Sequence, residues 1–138
     1  MTAKSKTGGC LCGAVTFRVN GPFDPIIGCH CGQCRRTSGH YAASTDVAED
    51  DLDIAGREDA LVWYRSSEKA ERGFCGRCGS NLFWREFGSG RVAVAAGSLD
   101  DTHGLRIDRH VYTRFKGDYY DIPVGTEVFS LDDDEPAN

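Results

Sequence analysis

Seven cysteines in three short clusters constrain this 138-residue chain more than any other feature. They stand at Cys10 and Cys12, at Cys29, Cys31 and Cys34, and at Cys75 and Cys78. Disulfide frameworks belong to secreted chains, and an odd number of thiols cannot be fully paired within one chain. The N-terminus, Met1 to Thr7, is polar and lacks the apolar segment of a signal peptide. The thiols therefore read as metal ligands in a soluble, cytoplasmic protein. No apolar run approaches the ~20 residues of a membrane span, so no membrane partner is expected.

The remaining composition narrows the partners. A formal net charge of −5 argues against a nucleic-acid binder, which needs a basic footprint. Asp132, Asp133, Asp134 and Glu135 concentrate negative charge at the end of the chain. The expected organisation is a flexible N-terminus over 1–7, a single zinc domain over 8–130 and an acidic, disordered tail over 131–138.

Local patterning is extended throughout. Lys4 to Gly8 reads as a loose lead-in. Val15, Phe17 and Val19 alternate with Thr16 and Arg18, the period of a half-buried strand. Cys34 to Gly39 reads as a single helical turn closed by Gly39, and His40 to Val47 as a strand with His40, Ala42 and Ser44 on one face. Residues 48–60 are acidic and loop-like. Leu61 to Tyr64, Lys69 to Phe74 and Asn81 to Phe87 have strand character, with Leu82 and Trp84 expected on one face and Phe83 on the other. Gly88-Ser89-Gly90 marks a hairpin turn before Arg91 to Ala96. His110 to Phe115 alternates again, and Ile122 to Phe129 is partly extended. The chain thus predicts a mainly β fold of roughly eight short strands with no long helix.

The division of the thiols follows from their count. A structural zinc site takes four protein ligands, whereas a catalytic site keeps three and leaves a position open. The two pairs, Cys10/Cys12 and Cys75/Cys78, add to four, and the triplet Cys29, Cys31 and Cys34 is then an open site. Other partitions exist, such as one lending Cys10 to the triplet, which leaves the Cys75/Cys78 turn only one cysteine partner. Bringing Cys75 back to Cys12, 63 positions away, costs roughly 4 kcal/mol of loop-closure entropy. A structural zinc site supplies about 10–16 kcal/mol near neutral pH. The four-thiol site is therefore expected to staple the two halves of the sheet.

The words around these cysteines are Gly8-Gly9-Cys10-Leu11-Cys12-Gly13, Cys29-His30-Cys31-Gly32-Gln33-Cys34-Arg35-Arg36, Phe74-Cys75-Gly76-Arg77-Cys78-Gly79-Ser80 and Ala96-Gly97-Ser98-Leu99-Asp100. In order and spacing they resemble the glutathione-dependent formaldehyde-activating (GFA) family, which also includes the centromere protein V type domain. The resemblance implies a zinc-stapled, mainly antiparallel β-tent. It implies a structural zinc on Cys10, Cys12, Cys75 and Cys78, and a catalytic zinc on Cys29, Cys31 and Cys34. It also implies a carbon–sulfur lyase activity that joins formaldehyde to glutathione.

The residue chemistry is compatible with that implication. An open zinc site deprotonates a coordinating thiol and holds it beside a Lewis acid. Arg35 and Arg36 follow the triplet and are candidates to receive a carboxylate of an anionic thiol; the alternative is that they are surface charges. The expected partners are a small-molecule thiol and an aldehyde. Competing readings are a non-catalytic zinc-binding interaction module and a thiol redox or metal-handling protein. Among the histidines, His30 is flanked by two thiols and expected to point away from them. His40 is read as a strand residue within reach of the site, His103 as exposed, and His110 as a hydrogen-bonded core or rim residue. Tyr119 and Tyr120 are candidates to line a pocket.

Overall fold

The computed structural model describes residues 5–132. These form two compact units, one comprising the chain up to Asp24 together with Thr45–Gly104, the other Pro25–Ser44 and the chain from Leu105. Eleven strands and, among the described residues, one α-helix make the protein mainly β. No helix in these residues is long and apolar enough to cross a membrane. The acidic run expected as a disordered tail lies outside the described residues except for Leu131 and Asp132.

In the first unit, β1 (Lys6–Gly9), β2 (Thr16–Val19) and β5 (Leu52–Ala55) make an antiparallel three-stranded sheet with β2 at its centre. The alternation read in the sequence is realised in β2, where Phe17 and Val19 are buried and Thr16 and Arg18 exposed. Two of these strands depart from expectation. Lys6–Gly9 is paired along its length with β2 rather than being a loose lead-in, and its two glycines carry no side chain to reveal a period. Residues 48–60, expected as loop, contain β5, whose Leu52 and Ile54 alternate with Asp53 and Ala55 against β2.

The same unit holds a four-strand antiparallel meander of β6 (Leu61–Arg65), β7 (Ala70–Cys75), β8 (Asn81–Glu86) and β9 (Arg91–Ala95). The Thr45–Ala48 half of β4 (Ala42–Ala48) lies beside β9. Leu82 and Phe83 are both buried while Trp84 is exposed, so the expected sharing of a face by Leu82 and Trp84 does not hold. A register irregularity between Gly73 and Phe74, opposite Phe83 and Asn81, breaks the two-residue period there. Phe83 meets Phe17 edge-on at 5.3 Å and stacks on Trp63 at 6.0 Å, and Val15, Val92 and Val94 are among the buried core residues.

In the second unit β3 (Ile26–Cys29) lies between the Ala42–Ser44 half of β4, which is antiparallel to it, and β10 (Ile107–Val111), which is parallel. The short β11 (Glu127–Val128) pairs parallel to the far edge of β10. Between β3 and β4 sits α1 (Gly32–Ser38), which ends at Gly39 in the left-handed conformation, φ 81°. Gly39 donates its amide to Arg35 O, the helix stop its sequence announced.

Candidate metal centres and a histidine–tyrosine cluster

Cys10 and Cys12 lie in the loop that follows β1, and Cys75 and Cys78 bound the turn that follows β7. The fold of the first unit brings all four sulfurs within 4.8 Å of one another. Cys10 Sγ to Cys12 Sγ is 3.7 Å and Cys12 Sγ to Cys75 Sγ is 3.8 Å. Disulfide sulfurs stand about 2.05 Å apart, whereas four sulfurs ~2.3 Å from a tetrahedral ion are separated by about 3.8 Å. The spacing therefore suits a metal and not a bond, and none of the seven cysteines is in a disulfide.

Backbone amides already face these sulfurs. Cys75 Sγ accepts from the amides of Arg77 at 3.4 Å and Cys78 at 3.5 Å, and Cys10 Sγ accepts from Val15 N at 3.2 Å. Such donors favour the thiolate form that a metal requires. The Ser80 hydroxyl, 3.3 Å from Cys78 Sγ, is the main cause pulling the Cys78 thiol down to about 5. Ser80 also accepts from Leu11 N at 2.9 Å, tying the two cysteine loops together.

The triplet belongs to the second unit. Cys29 ends β3, Cys31 is the N-cap of α1, and Cys34 lies buried in its first turn. Cys31 Sγ accepts from Cys34 N at 3.3 Å, so the thiol serves as the helix cap, a place more often taken by serine or aspartate. The three sulfurs also lie within 4.8 Å of one another. Contacts with Cys29 and Cys34 hold the Cys31 thiol far below the ordinary range, and the same proximity pushes Cys29 far above it. Three thiols this close cannot all ionise without a cation to neutralise them, so the donor set fits a metal. Among the described residues, no further histidine, cysteine, aspartate or glutamate joins either group.

Arg35 and Arg36 are exposed on α1, immediately after the triplet. His30 is fully buried, and its two ring nitrogens face Tyr120 Oη and, at 2.9 Å, His110 Nδ1. Both nitrogens are thus engaged within the protein. Burial pushes the His30 imidazole down to about 4 and lowers that of His110. His40 Nδ1 lies 2.7 Å from Tyr119 Oη at the exposed end of the same cluster, and His103 is exposed.

This cluster of His30, His40, Tyr41, His110, Tyr119 and Tyr120 is the part of the site that sequence reasoning treated residue by residue. The sequence offers His30 inside the cysteine motif, His40 within reach of it and Tyr119 and Tyr120 as candidates to line a pocket, but nothing that joins them. The 90 positions between His30 and Tyr120 hide the pairing from any local pattern.

Two thiol clusters, one of four sulfurs and one of three, on short strands and loops mark a β domain whose cysteines could hold metal ions. A model of the family described as glutathione-dependent formaldehyde-activating enzyme matches residues 5–115, and the chain belongs to that family. A Halomonas elongata protein provisionally named a glutathione-dependent formaldehyde-activating enzyme is 37% identical over 83 residues, covering 55% of this chain and 53% of that relative. A Schizosaccharomyces pombe protein, named as an uncharacterized lyase, is 27% identical over 128 residues, 91% of each chain. A crystal structure of a Rhodobacter sphaeroides protein is similar with a TM-score of 0.60 and 27% identity, covering 71% of this chain and 91% of that one.

Proposed function

We propose that the protein is a zinc-dependent carbon–sulfur lyase that adds a small aldehyde, formaldehyde, to a thiol such as glutathione. The observation that carries this reading is the unequal division of seven thiols. Four are grouped in the first unit and three in the second. A four-thiolate set closes a tetrahedral shell and is structural, whereas a three-thiolate set leaves one position for a reactant. Cys10, Cys12, Cys75 and Cys78 hold the structural ion, and Cys29, Cys31 and Cys34 the catalytic one. Membership of the family and the names of the two relatives support the reaction class.

When bound at the triplet, zinc supplies a Lewis acid that favours the thiolate form of a substrate thiol. The reaction joins that sulfur to the carbonyl carbon. The carbonyl π pair moves to oxygen, which takes up a proton equivalent to the one the thiol gave up. The chain's own residues position the reactants. Cys31 and Cys34 present their sulfurs from the start of α1, and Cys29 presents its own from the end of β3. Arg35 and Arg36, exposed on the same helix, offer guanidinium groups to the carboxylates of an anionic thiol.

Exchange NMR of glutathione and formaldehyde, with and without the zinc-loaded protein, tests the reading. Accelerated interconversion with the S-hydroxymethyl adduct is expected, and Cys31→Ser abolishes it. A protein holding two zinc ions that gives no acceleration rules out this substrate pair.

A further inference from the structure

His30 stands between two thiols of the triplet, Cys29 and Cys31. Extended backbone sends alternate side chains to opposite faces, so Cys29 and Cys31 share a direction and His30 takes the other. Whatever holds the middle side chain therefore aims the two flanking sulfurs. In this chain that side chain is held on every side. Tyr120 Oη and His110 Nδ1 engage its two nitrogens. Tyr41 stacks on its ring at 4.5 Å and 27°, and Tyr120 at 5.6 Å and 20°. Its backbone amide donates to Val111 O at 3.0 Å.

The two partners are themselves anchored. His110 lies on β10, directly opposite Gly28 of β3, and is 1% exposed. Lys116 Nζ donates to Gly117 O at 2.9 Å and Tyr120 O at 2.6 Å, and stands 4.9 Å from the Tyr120 ring. The Gly117–Tyr120 segment is thereby fixed with its second tyrosine turned to His30. A buried imidazole nitrogen left without a partner keeps its full desolvation penalty, so the three rings form one interdependent set.

We propose that His110 and Tyr120 are positioning residues for the thiol triplet: by fixing His30 they aim Cys29 and Cys31 so that three sulfurs converge and the fourth position stays open. The proposal rests on the reading of Cys29, Cys31 and Cys34 as a metal site, and it needs no turnover to be tested.

The test uses the full chain loaded with cobalt(II), whose visible spectrum reports the number and geometry of thiolate ligands, titrated with a chelator. Tyr120→Phe removes one hydroxyl and keeps the ring stack. His110→Phe removes the bond to His30, and His110→Gln restores a polar partner. Changes in groups that orient metal ligands typically weaken binding by about 10–100-fold. That loss is expected at the three-sulfur site in Tyr120→Phe and His110→Phe, with a shift of its ligand-field bands. The four-sulfur site stays unchanged, and His110→Gln recovers most of the affinity. Triplet affinity within about twofold of the parent in both variants, or equal weakening at both sites, overturns the proposal. A parent protein that takes up only one cobalt ion overturns the metal reading beneath it, an outcome distinct from two ions with unmoved variants.

Discussion

At Gly28 in β3 a β-carbon would lie 2.6 Å from His110 Nδ1 and 3.1 Å from Cε1 of Tyr41, closer than the neighbours can accept without moving. Glycine is needed at this position because an imidazole fills the space, not because of its backbone angles. Gly28→Ala is expected to push His110 off His30 and to cost about 1–3 kcal/mol, the usual penalty for overpacking a filled interior. Denaturant unfolding of the metal-loaded protein measures it, and an unchanged midpoint would contradict the packing described. The same contrast governs what single residues reveal in sequence. The cysteines declare themselves because few other roles fit seven thiols at these spacings. Gly28, His110 and Tyr120 do not, since each has an ordinary structural use and acquires its role only from a partner brought in by the fold.

Among the elements, α1 shows how seven residues divide two tasks. Cys34 points inward from its first turn, while Arg35 and Arg36 face solvent. If the arginines receive substrate carboxylates, Arg35→Ala/Arg36→Ala is expected to raise KM for glutathione about tenfold, or ~1.4 kcal/mol, with little change in kcat. A neutral thiol such as 2-mercaptoethanol would be unaffected, and an equal effect on both thiols would exclude charge recognition. The helix stop at Gly39, the alternation of β2 and the hairpin at Gly88-Ser89-Gly90 were all readable from local chemistry. β1 was not, because Gly8 and Gly9 show no period. The joint burial of Leu82 and Phe83 was not either, because it depends on a register irregularity set by the neighbouring strand.

For the whole molecule, each of the two units carries its own thiol cluster, and the four-thiol cluster joins segments 63 positions apart. The mainly β class was legible because strand-like segments and cysteine turns recur from end to end. The parallel pairing of β10 with β3 and β11 was not, since hydrophobic alternation does not encode strand direction. If the four-thiol site is structural, Cys10→Ser is expected to lose one of two zinc ions and to lower the melting temperature. Cys31→Ser loses the other and has the smaller effect on stability. Metal analysis and thermal melts of the two variants check this, and full zinc retention in Cys10→Ser would contradict the assignment.

The central claim is that the triplet holds a zinc ion with room for a substrate thiol. Zinc-edge X-ray absorption of the two-zinc protein, recorded before and after glutathione is added, tests it most directly. One closed four-sulfur site and one open three-sulfur site predict an average of about 3.5 sulfurs per zinc, rising to about 4 with glutathione bound. An average that is already about 4 without glutathione, or that does not change when it is added, would contradict the claim.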